Sequence, residues 1–308
     1  MIDRSCDALV VGGGPAGLTA AIYLGRYHRS VIVVDEGQSR ARWIARSHNH
    51  AGFPEGISGN ELLQRMRDQA ERYGARIITN RVSAIACRDD GRFRAEGEGV
   101  SILAKTVLLA TGVENRRPNV DEAAHHDALM RGLLRYCPVC DGYEATGQTI
   151  GVIGANSHGV AEALFLRTFS NHVTLLAQTD VALTAEDRVR LATGGINVRE
   201  SPLARLSFAD AVLAELEDGT TCRFDTVYPA LGTDSRNTLA RQLGLELSDD
   251  RCIVTDTKQR VSRKGVYAAG DIVMALDQIS VAMGHAAVAA TALHNDLSER
   301  EAEGSKSQ

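Results

Sequence analysis

The chain has no long hydrophobic run. Among its 308 residues, no apolar stretch approaches the roughly 20 residues that a membrane-spanning helix needs. The first residues, Met1–Asp7, also carry charges where a secretory signal peptide requires an apolar core. These two features predict a cytoplasmic protein that makes no contact with a membrane.

An excess of basic residues is also missing. Lys and Arg number 34 and Asp and Glu 39, so the formal net charge at pH 7 is −5. Proteins that bind nucleic acid usually concentrate positive charge, so this balance predicts no nucleic-acid partner. The rest of the composition, 44% hydrophobic and 24% charged, is typical of a globular protein, and the length suffices for about two domains.

Cysteine is scarce as well. Six cysteines in a chain of this size do not suggest a disulfide framework. Four stand apart in sequence, at Cys6, Cys87, Cys222 and Cys252. Only Cys137 and Cys140 form a motif, so any cysteine chemistry is expected at that pair.

Glycine, in contrast, is plentiful, and two of its clusters lie between a predicted strand and a predicted helix. The first unit has strands over 7–11 and 31–34 and a helix over 16–28; the second has strands over 150–153 and 173–176 with a turn over 154–159. Nearly continuous apolar strands suit a parallel sheet that is covered on both faces. The chain is therefore predicted to contain two nucleotide-binding βαβ units.

The first glycine cluster, Gly12–Gly17, fits the pattern G-x-G-x-x-G. Its first glycine permits a tight turn, its second lets the backbone approach a pyrophosphate, and its third lets helix and strand pack closely. The start of the helix offers unpaired N–H groups to the phosphates. Asp35 ends the second strand about 20 residues later, where an acid binds ribose hydroxyls. The alternative is a glycine-rich turn without a ligand.

The cysteine pair, Cys137-Pro138-Val139-Cys140, is followed by Asp141, which could donate or accept a proton. This spacing can close a small disulfide, and its surroundings can lower the pKa of one thiol. Two alternatives compete with a redox role. C-x-x-C is half of a zinc site, but the chain lacks the second half, so no metal is expected. The cysteines could also be buried and inert.

Together these motifs resemble the low-molecular-weight thioredoxin reductase family over nearly the whole chain. The matching positions are Gly12–Gly17, Asp35, Asn49 with Gly52, Ala110–Gly112, Cys137–Gly142, Ala269–Asp271 and Gln278. The resemblance implies an α/β fold of two Rossmann-like three-layer domains. An FAD domain, 1–116 and 245–300, is split by an inserted pyridine-nucleotide-type domain, 117–244, and 301–308 form a flexible tail.

The resemblance also implies the cofactor, FAD, and the residues that hold it. These are Gly12, Gly14, Pro15, Ala16, Gly17, Asp35, Asn49, Thr111, Gly112, Gly270, Asp271, Gln278 and Ile279. Cys140 would face the flavin, Cys137 would exchange with the partner's sulfur, and Asp141 would move the proton. The partner would be a thioredoxin-like protein or a small dithiol or disulfide, and the protein a homodimer.

The second glycine turn departs from the family pattern. It reads Gly154-Ala155-Asn156-Ser157-His158-Gly159, with Asn156 at the position of the middle glycine. The basic residues that bind the 2′-phosphate of NADPH in the family correspond here to Ala177, Gln178, Thr179 and Leu183. Arg188 or Arg190 could approach from the next helix. Use of NAD(P)H is therefore uncertain: the domain either survives as a scaffold or binds the cofactor through altered motifs.

The loop after Asp35 departs too. Gln38–Arg42 and Ser47–His50 are more similar to the dithiol oxidases of gliotoxin and holomycin biosynthesis. His48 and His50 would lie near the flavin, either assisting proton transfer or simply packing. A second pair, His125 and His126, shows no ligand spacing and is expected at the surface.

The sequence thus predicts an FAD-dependent dithiol/disulfide oxidoreductase similar to thioredoxin reductases, with inefficient use of NADPH. Four alternatives remain open: an ordinary NAD(P)H-dependent thioredoxin-disulfide reductase, an oxygen-dependent dithiol oxidase, a ferredoxin-linked reductase, and a non-enzymatic flavin redox sensor.

Overall fold

A buried strand, a glycine turn and a helix follow one another at two places in the structure. The computed structural model describes Ile2–Thr179 and Val181–Lys306. The chain divides into two units. Unit 1 takes the residues up to Arg42, Gly59–Glu114 and those from Ser235 onward, and unit 2 takes Trp43–Ser58 and Asn115–Asp234. One strand–glycine–helix segment belongs to each unit, so the predicted α/β class with two Rossmann-like domains is confirmed.

The described residues form eight α-helices and sixteen strands. The helices are α1 Pro15–Arg26, α2 Gly59–Arg72, α3 Glu122–Met130, α4 Pro138–Asp141, α5 Ser157–Leu166, α6 Ala185–Thr193, α7 Thr238–Gln242 and α8 Ile279–Lys306. The strands are β1 Ile2–Val11, β2 Val31–Asp35, β3 Arg76–Thr79, β4 Val82–Cys87, β5 Phe93–Gly97, β6 Val100–Leu109, β7 Val113–Asn115, β8 Thr149–Ile153, β9 His172–Leu176, β10 Asn197–Arg199, β11 Leu203–Phe208, β12 Val212–Leu216, β13 Thr221–Phe224, β14 Thr226–Pro229, β15 Thr233–Ser235 and β16 Val266–Ala268.

Unit 1 is built on a seven-stranded sheet in the order β3-β2-β1-β6-β5-β4, with β16 also paired to β6. β1 runs parallel to both neighbours, and Val11 aligns with Val34 and Leu109. The first half of β6 pairs antiparallel with β5, and its last residues pair in parallel with β16. The carboxyl ends of β1, β2, β6 and β16 therefore meet at one edge, where open α/β sheets bind their ligands.

Both faces of the sheet in unit 1 are buried. Successive side chains of a strand point to opposite sides, so each strand contributes to two hydrophobic clusters. Ala8 and Val10 of β1 belong to the cluster that includes α1 and α8. Leu9 and Val11 belong to a second cluster that includes Phe93 and residues of α7. Many buried side chains of α1 and α8 are alanines, so the two helix backbones can approach closely.

Unit 2 contains a parallel sheet in the order β10-β9-β8-β14 and a separate antiparallel sheet, β11-β12-β13. α5 packs on one face of the parallel sheet, where Ile150, Val152 and Val160 are completely buried. Ile153 and Val227 belong to a second cluster, which also takes in residues of the antiparallel sheet. In the ranges that the structure describes, no helix combines the length and apolar content that a bilayer crossing requires.

The segment Trp43–Ser58 departs from the predicted boundaries, because it joins unit 2 rather than the FAD domain predicted over 1–116. The Trp43 ring centre lies 5.3 Å from that of His125 and 5.7 Å from that of Tyr136, and the Arg117 guanidinium lies 4.2 Å above it. Such ring and cation–π contacts hold the segment on unit 2. His125 is therefore buried, which corrects the surface position predicted for it; its Nε2 lies 2.8 Å from the Tyr136 hydroxyl.

Two further boundaries differ from the prediction. Residues 235–244 belong to unit 1, because the Gln242 side chain accepts a hydrogen bond from the amide of Ile85 and donates one to the carbonyl of Ser83. The flexible tail predicted over 301–308 is instead helical through Lys306, and Glu301 pairs with Arg29 at 2.8 Å. Ser307 and Gln308 lie outside the described residues.

Candidate active site

Two glycines of the first turn, in unit 1, have no room for a side chain. Gly12 has φ +106°, and a Cβ there would lie 2.3 Å from the carbonyl oxygen of Ala110. A Cβ on Gly17 would lie 1.8 Å from the carbonyl oxygen of Gly12. α1 then begins with Pro15, and its N-cap residue is Gly14, which has no side chain to cap the helix. The first N–H groups of α1 are thus left for a ligand such as a phosphate.

Asp35 stands at the end of β2, beside this turn. Its Oδ1 accepts a hydrogen bond from the amide of Gly13 at 3.1 Å, and Arg67 approaches its Oδ2 at 3.2 Å. A Cβ on Gly13 would lie 2.6 Å from the Asp35 carboxylate, so this contact also requires glycine. The acid expected for a ribose is therefore fixed against the turn expected for a pyrophosphate.

The ends of β6 and β16 bring four more of the predicted residues to the same edge: Thr111, Gly112, Gly270 and Asp271. Gly270 has φ +83°, and its Cβ would lie 2.9 Å from that of Ala16 and 3.8 Å from that of Ala282. Gln278 and Ile279 mark the start of α8, where the amide of Ala282 donates to the carbonyl of Gln278. The predicted cofactor residues of unit 1 therefore converge on one place.

Arg40 is a residue that the sequence did not single out. One of its nitrogens, Nη1, lies 3.2 Å from Asp271 and 2.8 Å from Asp277. Burial raises the pKa of Asp271, and Asp277 adds to the rise, while Arg40 opposes it. The partner is 231 residues away, so no local pattern could have indicated it.

The glycine turn, the open helix start and the adjacent acid fit a dinucleotide such as FAD. Gly12, Gly13 and Gly17 leave no room for a Cβ, and Gly14 leaves the space beside its backbone open, which is the requirement of a bound pyrophosphate. Asn49, the remaining predicted cofactor residue, belongs to unit 2, where its Nδ2 donates to the carbonyl of Val139 at 3.2 Å. It therefore contacts the cysteine loop, residues 137–145.

In unit 2, Cys137 and Cys140 form a disulfide, with Cα atoms 5.2 Å apart. Cys137 is the N-cap residue of α4, and the amide of Cys140 donates to the carbonyl of Cys137 at 2.9 Å. Gly142 is the C-cap residue of α4. A larger residue would not fit there, because a Cβ would lie 2.5 Å from the ring of Phe169. Among the described residues, no cluster of His, Cys, Asp and Glu could hold a metal ion.

Asp141 follows Cys140 directly and belongs to a half-buried polar group. The Tyr228 hydroxyl donates to its Oδ1 at 3.0 Å, and Arg135 approaches its Oδ2 at 3.2 Å. Burial raises the pKa of Asp141, and the charge of Arg135 and the bond from Tyr228 partly offset that rise. A carboxyl group in such a place can hold a proton closer to neutral pH than an exposed one.

The loop histidines left open by the sequence occupy two different environments. His48 Nδ1 lies 2.8 Å from Glu144 Oε1, and 40% of the His48 side chain is exposed. The ring of His50 stacks on Phe53 at 5.5 Å, and burial lowers its pKa. Glu144 was missed because its partner is far away in sequence and acidic residues are common on any surface.

The second glycine turn has the same close backbone packing as the first, but a side chain caps the start of its helix. Gly154 has φ +136°, and a Cβ on Gly159 would lie 1.7 Å from the carbonyl oxygen of Gly154. Asn156 is the N-cap residue of α5, and its Oδ1 accepts the hydrogen bond of the Gly159 amide at 3.0 Å. A side chain of the protein thus takes an N–H group that a bound phosphate could otherwise use.

The two arginines of α6 that could approach the second turn are also engaged. Arg188 pairs with Glu200, and Arg190 lies 3.6 Å from Asp187. Both arginines are therefore partly neutralised by carboxylates of their own unit.

The fold, the dinucleotide turn and the disulfide together define a flavoprotein disulfide oxidoreductase. The sequence pattern of the pyridine nucleotide-disulphide oxidoreductases matches residues 6–286. The chain belongs to this family, as a divergent member of its low-molecular-weight thioredoxin reductase branch.

Known relatives cover most of the chain. The bifunctional thioredoxin reductase/thioredoxin of Mycobacterium leprae is 30% identical over 279 residues, 87% of this chain and 60% of that protein. The thioredoxin reductase of Mycolicibacterium smegmatis is 30% identical over 87% of this chain and 88% of its own length. The crystal structure of HlmI has a TM-score of 0.90 at 29% identity, covering 98% of this chain and 95% of HlmI. The chain thus spans three fifths of the bifunctional relative and most of the other two.

Proposed function

We propose that this protein passes electrons between FAD and the Cys137–Cys140 pair, and that NADPH is an inefficient electron source for it. The observation that carries the proposal is the contrast between its two glycine turns. The first begins its helix with Gly14 and leaves the N–H groups open. The second begins its helix with Asn156, whose side chain takes the Gly159 amide.

FAD, when bound, supplies a carrier that takes up and returns two electrons. We assign its pyrophosphate to Gly12–Gly17 and its ribose to Asp35. The remaining predicted residues of unit 1 line the rest of the cofactor: Thr111, Gly112, Gly270, Asp271, Gln278 and Ile279. The start of α8 adds the partial positive charge of a helix N-terminus on that side.

The cysteine pair exchanges with the sulfur substrate. In its disulfide form it accepts two electrons and two protons and becomes a dithiol. We assign the exchange with the partner's sulfur to Cys137 and the contact with the cofactor to Cys140. Asp141, whose pKa is raised by burial, holds a proton next to the pair.

Inefficient use of NADPH follows from its charge. The 2′-phosphate carries nearly two negative charges, and binding sites offset its desolvation with Arg or Lys. The corresponding positions here, Ala177, Gln178, Thr179 and Leu183, supply none. Each missing charge-assisted hydrogen bond removes roughly 1.5–3 kcal/mol. Losing two weakens binding by about two to four powers of ten.

The substrate is a thioredoxin-like protein or a small dithiol or disulfide. A dithiol oxidase that passes electrons on to oxygen is the second candidate, since Ser47–His50 resembles the gliotoxin and holomycin oxidases. We expect a cytoplasmic homodimer, by analogy with the thioredoxin reductases.

Anaerobic stopped-flow mixing of the flavin-loaded protein with NADPH, NADH and dithiothreitol tests the proposal. We expect rapid bleaching of the flavin absorbance by the dithiol and slow or absent bleaching by both nicotinamides. Bleaching within milliseconds at micromolar NADPH would overturn the claim about NADPH and restore an ordinary NADPH-linked reductase. Absence of bleaching by the dithiol would overturn the claim about the cysteine pair.

A further inference from the structure

We propose that His48, oriented by Glu144, is the general base and acid for the thiol that exchanges with the Cys137–Cys140 disulfide. The inference rests on the proposed function, because it assigns a proton carrier to that exchange. It does not depend on the direction of electron flow, since a base in one direction is an acid in the other.

Two consecutive residues of the segment Trp43–Ser58 contact the cysteine loop at two points. Asn49 donates to the carbonyl of Val139, which lies between the two cysteines, at 3.2 Å. His48 reaches Glu144, four residues after Cys140, at 2.8 Å. α4 and the short 3-10 helix Tyr143–Ala145 follow one another directly, so these two contacts attach the His48 segment to the loop that carries the disulfide.

The pair has the geometry of an oriented base. Nδ1 of His48 faces the carboxylate, so Nε2 is left for a proton acceptor or donor role, and among the described residues it makes no hydrogen bond. The ring lies over Gly56, where a Cβ would be 2.7 Å from Nε2. Oε2 of Glu144 is buried without a hydrogen-bond partner. A carboxylate in that position stabilises an imidazolium that forms beside it.

Other titratable and charged groups lie on the His48 segment and on the cysteine loop. On the His48 segment these are Arg46, whose guanidinium donates to the carbonyl of Glu55, and His50, which is stacked on Phe53. On the cysteine loop, Asp141 accepts a hydrogen bond from Tyr228 of β14 and pairs with Arg135. Nδ1 of His50 also has no hydrogen-bond partner, but it is buried, so His48 is the histidine of this segment whose side chain is exposed.

In the oxidising direction, Nε2 of neutral His48 takes the proton of a substrate thiol, and the thiolate attacks Cys137. The Cys137–Cys140 bond breaks, and its electron pair leaves on Cys140. The second substrate thiol gives its proton to Cys140 and attacks the substrate sulfur of the mixed disulfide. Cys137 leaves as a thiolate and recovers the proton from His48. The substrate loses two electrons and two protons, and the cysteine pair gains them.

The size of the effect follows from thiol ionisation. A substrate thiol with a pKa of about 8.5 is only about 3% ionised at pH 7, so a base can accelerate its attack at most about 30-fold there. The benefit disappears at higher pH, because the thiol ionises without help. A residue that serves only packing would give a defect that does not change with pH.

The test follows reduction of the disulfide itself. Oxidised, flavin-loaded protein is mixed anaerobically with dithiothreitol from about pH 6.5 to about pH 9.5, quenched with an alkylating reagent, and labelled Cys137 and Cys140 are counted by mass spectrometry. The variants are His48→Gln, Glu144→Gln and, as a control, His172→Gln, an exposed histidine at the start of β9. Circular dichroism and flavin content check the fold of each.

We expect His48→Gln to be about 10- to 30-fold slower at pH 7 and within about twofold of wild type at the highest pH. Glu144→Gln should show a smaller loss with the same pH trend, and it provides the test if His48→Gln does not fold. His172→Gln should match the wild type. Wild-type rates in both His48→Gln and Glu144→Gln, or a loss of rate that does not change with pH, would overturn the role of His48 while leaving the cysteine chemistry intact. A wild-type disulfide that resists the dithiol at every pH would overturn the proposed function itself.

Discussion

The hydroxyl of Tyr228 donates a hydrogen bond to Oδ1 of Asp141, 3.0 Å away, from a side chain that is completely buried. Burial raises the pKa of Tyr228, and the charge of Asp141 raises it further. The phenol therefore keeps its proton over the ordinary pH range. The bond favours the charged form of Asp141 and limits the rise in its pKa.

Tyr228→Phe should show how strongly the pKa of Asp141 depends on this hydrogen bond. The loss of one hydrogen bond in a buried place should lower the free energy of unfolding by about 1 kcal/mol at neutral pH. The pKa of Asp141, already raised by burial, should rise further in the variant. Since the unfolded value is unchanged, the loss of stability should widen as pH rises through the pKa of Asp141 and shrink in acid. Urea unfolding over a pH series measures this.

Tyr267→Phe is the matched control for that experiment. Tyr267 is also fully buried, and its hydroxyl donates to Asp296 at 2.6 Å in unit 1. The pKa of Asp296 is lowered, first by its bond from Arg260. This variant should also lose stability, but because the pKa of Asp296 is lowered, its loss should change only in more acidic solution than that of Tyr228→Phe. A pH-independent loss in Tyr228→Phe would contradict the assignment of Asp141.

A Val at position 14 should empty the cofactor site without unfolding unit 1. The Gly14 backbone has φ −77°, which any residue can adopt, and its Cβ would meet only the Ser39 side chain, at 3.2 Å. The added methyl groups occupy the space assigned to the pyrophosphate. Flavin absorbance per purified chain is the measurement. Gly284→Ala on α8, where a Cβ meets nothing within 4 Å, should keep FAD and gain about 0.5–1 kcal/mol. Full flavin content in Gly14→Val would contradict the site.

The two cysteines should respond differently to replacement by Ser. Both variants should lose steady turnover with dithiols, because neither can form the disulfide. Cys137→Ser should retain a thiol that perturbs the flavin absorbance spectrum, whereas Cys140→Ser should not. Cys222→Ser, in β13, is the control and should behave as wild type. Identical flavin spectra for Cys137→Ser and Cys140→Ser would mean that the assigned roles are wrong.

Asn156→Gly should partly restore the second nucleotide site. It frees the amide of Gly159, so NADPH should bind up to about tenfold more tightly, as expected for one neutral hydrogen bond. Glycine is itself an acceptable N-cap residue, so the cost in stability should be a few tenths of a kcal/mol. Equilibrium titration with NADPH measures the change. Asp121→Gly, which removes the side-chain cap of α3, should leave nucleotide affinity unchanged. Unchanged or weaker binding by Asn156→Gly would show that its side chain does not obstruct the cofactor.

Local sequence was enough to predict the elements whose function depends on neighbouring residues. Gly12 and Gly154 have positive φ in turns that directly follow buried strands, as the two patterns indicated. The disulfide joins cysteines that are three residues apart. In each case the strand, turn and helix are continuous in the chain, so composition and spacing determine the local backbone.

Relationships between distant segments could not be predicted in this way. Arg40 meets Asp271, and His48 meets Glu144, through packing of the whole unit rather than through spacing. The position of Trp43–Ser58 in unit 2 depends on rings contributed from beyond residue 115. The helical end of the chain was missed because its polar composition resembles a tail, whereas Glu301 is held by Arg29.

Trp43 is the single tryptophan of the chain, and it lies against Tyr136, the residue before Cys137. The protein therefore contains an intrinsic fluorophore next to its redox-active disulfide, with the Arg117 cation 4.2 Å above the indole. Emission depends on the polarity and charge around the ring, so any step that moves the cysteine loop or the His48 segment should change the spectrum. Unlabelled protein thus offers an optical signal for the thiol chemistry, separate from the colour of the flavin.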